Sequence, residues 1–241
     1  MIIGSISHIN SSSRSRLFII IEIVLGNWIY NLKKKRQRIE NSIITGMLTM
    51  SHFIFAKFFV RHLNIRIEMP EELRNLSKDR YLIVANHRKG IDPWVILFTL
   101  PYSTYRNLLS IRFFTANEYL DIWWLRPLLW INGCFRAYKV DNKISGVKGS
   151  LLFSDQGYSL VIFPEGKMVF EQEHVKPKLG IAHLAKSRNF TILPVHISYE
   201  KNLKDGIKVK WGKPFKSKEF AEYENLDELA ETIFDRVRQL N

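Results

Sequence analysis

The sequence predicts an α/β fold: a mixed, largely parallel sheet flanked by helices, with further helices at the N-terminus. Three observations lead there. Apolar runs of strand length occur at Tyr81–Ala85, Tyr158–Phe163, Phe190–Ser198 and Ile207–Trp211, bounded by turn residues and polar loops. A helical stretch, Leu179 to Arg188, lies between the second run and the third. The chain then closes on a helix whose apolar stripe is Leu226, Leu229, Ala230, Ile233, Phe234, Val237 and Leu240, with Asp227 and Glu228 early and Arg236 and Arg238 late, as the helix dipole prefers.

At 241 residues with 46% hydrophobic content, the chain buries one sizeable core and is not mainly disordered. The expected division is an N-terminal basic and apolar region, 1–64, followed by one domain, 65–241. The net charge of +13 suits either nucleic acid or an anionic lipid surface. Much of the excess sits early: residues 1–40 hold seven cations, Arg14, Arg16, Lys33, Lys34, Lys35, Arg36 and Arg38, against Glu22 and Glu40. No helix-turn-helix, zinc or RNA-recognition signature accompanies that charge, so nucleic acid is not expected as a partner.

Beside those cations lie two apolar pieces, Leu17 to Leu32 and Ile43 to Val60, interrupted by Glu22 and Lys57 respectively. Crossing a bilayer takes about 20 apolar residues, so the favoured reading is helices lying in, or dipping into, the cytoplasmic leaflet. Phe53, Phe55, Phe58 and Phe59 and the basic linker Lys33 to Arg38 would hold them. A transmembrane anchor made from the first piece and a core helix made from the second remain as alternatives. No small-residue cleavage site follows the first piece, which weakens a signal-peptide reading.

The first strand, Tyr81–Ala85, runs into Asn86-His87-Arg88-Lys89-Gly90-Ile91-Asp92. In open α/β sheets ligands sit outside the carboxyl ends of strands, so His87 stands where it can meet one. A loop can fold Asp92 back onto the imidazole, fixing one tautomer while the other nitrogen takes a proton. Against this, Asp92 before Pro93 and the apolar Trp94–Phe98 also reads as a plain helix N-cap.

Further on, Trp123, Trp124 and Trp130 cluster in a short segment; they suit headgroup depth, an acyl-chain groove or core packing equally. Cys134 is the only cysteine, which excludes an internal disulfide and fits a reducing compartment. His8, His52, His62, His174, His183 and His196 show no metal-ligand spacing. The second strand runs directly into Phe163-Pro164-Glu165-Gly166-Lys167, where glycine lets backbone approach a ligand and the charged pair suits a polar head.

Taken together, four ordered blocks resemble the glycerolipid acyltransferase family of the 1-acylglycerol-3-phosphate O-acyltransferase (PlsC-like) type. They are Asn86-His87 to Asp92, Gly133-Cys134-Phe135 with Lys139, Phe163-Pro164-Glu165-Gly166, and Leu193-Pro194-Val195, with Lys178-x-Gly180 opening the helix after the third. The resemblance covers about Ile65 to Gly212. It implies transfer of a fatty acyl group from acyl-CoA or acyl-carrier protein to a lysolipid hydroxyl, at the cytoplasmic face of a membrane, that of a bacterial inner membrane first. His87 would be general base and Asp92 its orienting carboxylate. Asn86, Gly133, Lys139, Phe163, Pro164, Glu165, Gly166, Lys167 and Lys178 would line the substrate sites. No metal or cofactor is implied.

Two departures bear on the acceptor. Lys167-Met168 stands where the family has Thr-Arg, and Lys139 stands where it has arginine; a lysine is a point charge, not a bidentate fork. The first acceptor expected is still 1-acylglycerol-3-phosphate, as the resemblance implies. Another lysophospholipid, an amino-lipid hydroxyl, or an inactive lipid-binding relative remain the alternatives.

Overall fold

The computed structural model describes residues 58–241 other than 78, 109–110, 116, 132, 137, 141–142, 170–172, 174 and 201–205, together with helical positions 43, 46, 47, 50 and 54. Residues 44–241 form one compact unit and residues 1–43 another. The expected helix Leu17 to Leu32, the basic linker, Phe53 and Phe55 lie outside the described residues. Of the second apolar piece, Met47, Met50, Ile54 and Phe58 are helical and exposed. Spacings of three and four are those of residues on one side of a helix. Helical residues 58–62 (α1) end against the core through Phe59 and Val60. Among the described residues, no helix is long and apolar enough to cross a membrane.

After α1 the chain forms β1 (Ile65–Glu68), β2 (Tyr81–Ala85), α2 (Asp92–Thr99), α3 (Tyr102–Leu108), β3 (Arg112–Thr115), α4 (Asn117–Asp121) and α5 (Arg126–Ile131). There follow β4 (Cys134–Arg136), β5 (Tyr138–Val140), β6 (Lys143–Ser145), α6 (Gly146–Asp155), β7 (Leu160–Ile162) and α7 (Gly180–Ser187). The last elements are β8 (Thr191–Tyr199), β9 (Ile207–Trp211), β10 (Phe215–Lys216) and α8 (Leu226–Arg238).

The main sheet runs β1-β9-β8-β2-β7-β3-β4, with β10 on β8. Pairings are parallel except β8 with β9 and β8 with β10, so the sheet is mixed and largely parallel, as expected. β5 and β6 form a separate hairpin. Parallel strands need cover on both faces, and β2 meets that need by alternation. Tyr81, Ile83 and Ala85 join one core with α2 and α3, while Leu82 and Val84 join another with α7 and α8.

Beyond residue 65 the expected strands and helices stand, with ends moved by a residue or two. The second strand is shorter than its apolar run, because the Ser159 hydroxyl donates to Leu108 O and the Tyr158 amide to Phe153 O before pairing begins. Asn225 caps α8, accepting from the amides of Asp227 and Glu228. The short strands β1, β3, β4 and β10 carry too few residues for a periodic signal.

Candidate active site

Parallel pairing puts the carboxyl ends of β2, β7 and β8 at one edge of the sheet, and the loops leaving β2 and β7 meet there. The Val169 amide donates to His87 O at 2.8 Å, and Arg88 Nη1 donates to Val169 O at 2.9 Å. Glu165 completes the clasp: its Oε2 accepts the His87 amide at 2.5 Å. This carboxylate is only 4% exposed, and burial raises its pKa against the opposing pull of the His87 amide and Arg88.

Within that frame His87 Nδ1 lies 2.7 Å from Asp92 Oδ2, and the imidazole stacks on Phe163 with ring centroids 4.3 Å apart. Asp92 is fully buried. The same Oδ2 accepts the amides of Arg88 at 2.6 Å and Lys89 at 2.8 Å, while Oδ1 accepts the Tyr199 hydroxyl. A buried carboxylate held by this many donors is fixed in place. It is therefore no simple N-cap. Ile91 holds the cap position of α2, Asp92 is the first helical residue, and its side chain turns back into the loop instead of onto the amides of its own first turn. With Nδ1 committed to Asp92, Nε2 is the nitrogen left for proton transfer.

The other expected site residues divide by position. Asn86 is clamped across the strands, its Nδ2 donating to Ile197 O at 2.8 Å and its Oδ1 accepting the Ile197 amide at 2.7 Å; it extends the β2–β8 ladder beyond Ala85. Pro164 is buried, and its carbonyl accepts the Lys178 amide at 2.7 Å. Gly166 adopts a φ of +69°, and a Cβ there would meet the Lys178 side chain at 3.1 Å, so the third block and Lys178 are in contact. Lys167 pairs with Glu173 at 2.6 Å on the exposed surface, where such a pair contributes little. Gly133 is not brought to His87. It precedes Cys134, which lies level with Phe113 and, through Val161, with Ile83, back from the loop edge. Its φ of +75° serves the turn from α5 into β4. Lys139 stands on β5, past the carboxyl end of β4.

Tyr199, Arg88 and Lys89 were not expected. Burial first, then the Asp92 charge and hydrogen bond, hold the Tyr199 phenol well above its ordinary pKa, so it stays a donor. Lys89 Nζ sits 4.4 Å from the centre of its ring. The rule that placed His87 applies equally to Tyr199, the last residue of β8, which runs parallel to β2; its distance from the first block in sequence hid it. Beneath the clasp a cavity of about 180 Å³ is lined by Asn86, Arg88, Glu165, His196 and Arg238. His196 is held neutral, with burial the main cause and Arg88 and Lys210 adding to it; its pKa falls to about 4. Burial pushes the Cys134 thiol up to about 11, which leaves it inert as a nucleophile. Among the described residues, no cluster of side chains suits a metal ion.

With this geometry in view, the chain matches the family model described as Acyltransferase over residues 64–198. It is 24% identical over 140 residues to a protein of Mycoplasma pneumoniae named as a probable 1-acyl-sn-glycerol-3-phosphate acyltransferase, an alignment covering 58% of this chain. The match spans about half of that curated relative, 51%. Its fold is similar to the crystal structure of the 1-acyl-sn-glycerophosphate (LPA) acyltransferase PlsC of Thermotoga maritima. The TM-score is 0.57 at 17% identity, covering 93% of this chain and 92% of that one.

Proposed function

The chain belongs to the acyltransferase family, and from that premise we propose that it moves a fatty acyl group from acyl-CoA or acyl-carrier protein to the hydroxyl of a lysolipid. The first acceptor is 1-acylglycerol-3-phosphate, giving phosphatidic acid. The observation that carries this reading is the 2.7 Å hydrogen bond from His87 Nδ1 to a fully buried Asp92.

An alcohol is a weak nucleophile and needs its proton removed as it attacks. His87 Nε2 takes that proton while the acceptor oxygen bonds to the thioester carbonyl carbon. Asp92 stabilises the resulting imidazolium and keeps its ring oriented. Collapse of the tetrahedral intermediate breaks the carbon–sulfur bond, and the imidazolium returns its proton to the leaving thiolate. The carbonyl re-forms, the acceptor oxygen becomes the bridging ester oxygen, no side chain is acylated, and the step calls on no metal or cofactor. Glu165 and Arg88 hold the His87 backbone in place. Gly166 and Lys178, in contact at the rim, form part of the acceptor site, with Lys139 on the neighbouring hairpin.

A second acceptor reading has its own support. Lys139 and Lys167 offer point charges in place of the family's bidentate arginines, which favours a lysophospholipid or amino-lipid whose recognition leans less on a phosphate dianion. The N-terminal region 1–64 would hold the enzyme on the cytoplasmic face of a membrane, and the exposed stripe Met47, Met50, Ile54 and Phe58 supports that placement.

The test is acyl transfer in detergent, from labelled acyl-CoA or acyl-carrier protein to a panel of lysolipids, with His87→Ala beside the wild type. Product with 1-acylglycerol-3-phosphate that vanishes in the variant supports reaction, base and acceptor together. Product with another lysolipid only moves the acceptor. No turnover with any pair overturns the enzyme reading in favour of an inactive lipid-binding relative.

A further inference from the structure

Large aromatic side chains are seldom left in water together, because each gives up substantial apolar burial. Here Tyr119 is 46% exposed, Trp123 82%, Trp124 63% and Trp130 40%, all within α4, α5 and the turn joining them. These two helices pack on each other, so the residues form one neighbourhood.

Its place in the fold is specific. β3 runs parallel to β7 and β7 to β2, so α4, which leaves the carboxyl end of β3, starts from the same sheet edge as the loops bearing His87 and Glu165. The β5–β6 hairpin, with Lys139 and Lys143 in its strands, follows the carboxyl end of β4, the strand beside β3. Arg126 opens α5 and is exposed. The segment therefore leaves the edge where the reaction is placed, and α5 carries Trp130 back towards the start of β4; exposed Asp121 and Arg126 balance within it, and further lysines follow in the hairpin sequence. Tryptophan and tyrosine favour the headgroup layer, where an apolar ring and a polar N–H or O–H are both satisfied, and cations are drawn to anionic lipid.

We propose that the segment from Tyr119 to Trp130 is a membrane-contact surface, separate from the N-terminal region, which seats the rings of Trp123 and Trp124 at headgroup depth of an anionic bilayer and turns the His87 edge towards the lipid. The inference rests on the lipid-acceptor reading for its purpose. Its test requires no turnover.

The experiment places an environment-sensitive fluorophore on the full chain at Trp123→Cys, at Trp124→Cys and, as control, at Lys218→Cys. Lys218 is exposed and follows β10, which pairs with the first residues of β8, at the far edge of the sheet; Cys134, the only other cysteine, has its thiol pKa pushed up by burial and reacts slowly. Vesicles of phosphatidylglycerol in phosphatidylcholine, with nitroxide-labelled lipid, should blue-shift and quench the probes at 123 and 124, shallow nitroxides more than deep ones, and spare the probe at 218. The double variant Trp123→Ala/Trp124→Ala should bind the same vesicles about threefold to tenfold more weakly, with an unchanged melting temperature. Probes at 123 and 124 that stay unquenched while the protein co-sediments with vesicles would overturn the proposal, as would equal quenching at 218. So would a lipid-free shift at 123 and 124 that grows with protein concentration, which would assign the surface to a second copy of the chain. Quenching as expected from a protein without acyl transfer would leave this surface standing and remove only the enzymatic reading.

Discussion

Tyr199 donates its hydroxyl to Asp92 Oδ1 from 107 positions further along the chain, at the oxygen His87 does not use. The hydrogen bond fixes one carboxylate oxygen while the other holds the imidazole. In Tyr199→Phe that oxygen loses its donor and Asp92 orients His87 less firmly, so kcat is expected to fall. Stability should fall by about 1.5–3 kcal/mol, as for a lost hydrogen bond to a charged group. A loss of stability with kcat unchanged would make Tyr199 a scaffold residue only.

Asp92→Asn removes the charge that balances the imidazolium and sets an amide where four donors converge. By analogy with the serine-protease triad, turnover should fall about a thousandfold or more. Single-turnover acyl transfer by a variant whose circular dichroism is native would check it. A loss below tenfold would sink the orienting role.

Glu165 separates two effects in one side chain. Glu165→Ala orphans the His87 amide and should cost about 1–3 kcal/mol, with a drop in kcat. Glu165→Gln keeps an acceptor and removes the ionisable group. A raised carboxyl pKa means that the native state holds its proton to higher pH than the unfolded chain, so this group contributes stability at low pH and loses it as pH rises through the folded value. Glu165→Gln should accordingly lose less stability than wild type across that rise. Urea melts at several pH values between 4 and 8 would show it.

Gly166→Ala forces a side chain onto a φ of +69° and presses it against Lys178 at 3.1 Å. The strain is expected to cost about 1–2 kcal/mol, and the displaced lysine should raise KM for the acceptor more than it lowers kcat. Steady-state kinetics with varied acceptor would separate the two, and an unchanged KM would place Lys178 outside the acceptor site.

His196 stays neutral in the fold down to about pH 4, whereas an unfolded histidine takes a proton near its ordinary value of about 6.5. Stability from this group is thus present above that pH and is lost as acid is added, down to about 4. Replacing it with the uncharged, hydrogen-bonding glutamine should flatten the fall in melting temperature across that window. A slope equal to wild type would mean that the group titrates normally.

Much of this protein can be read along the chain. Runs such as Tyr81-Leu82-Ile83-Val84-Ala85 mark strands because burial on both faces demands unbroken apolar sequence. The amphipathic stripe from Leu226 to Val237 marks the last helix, and the ordered blocks at Asn86–Asp92 and Phe163–Gly166 lead to the family and to the edge of the sheet where the site lies. Local sequence also brought His87 and Asp92 together as a pair, since five residues of loop can close on themselves.

What the tertiary structure alone decided is everything that depends on strand order and register. Periodicity names a strand and does not name its neighbours, so nothing in Thr191–Tyr199 says that it will lie beside β2 and deliver Tyr199 to Asp92. The same holds for Glu165, which as part of a Pro-Glu-Gly turn suggests a ligand contact and in the fold holds the amide of His87. It holds for Gly133, which shares the family pattern yet sits back from the loop edge because β4 begins there. Hydrogen bonds are short-ranged and directional, and which distant groups come within reach is settled only once the sheet has assembled.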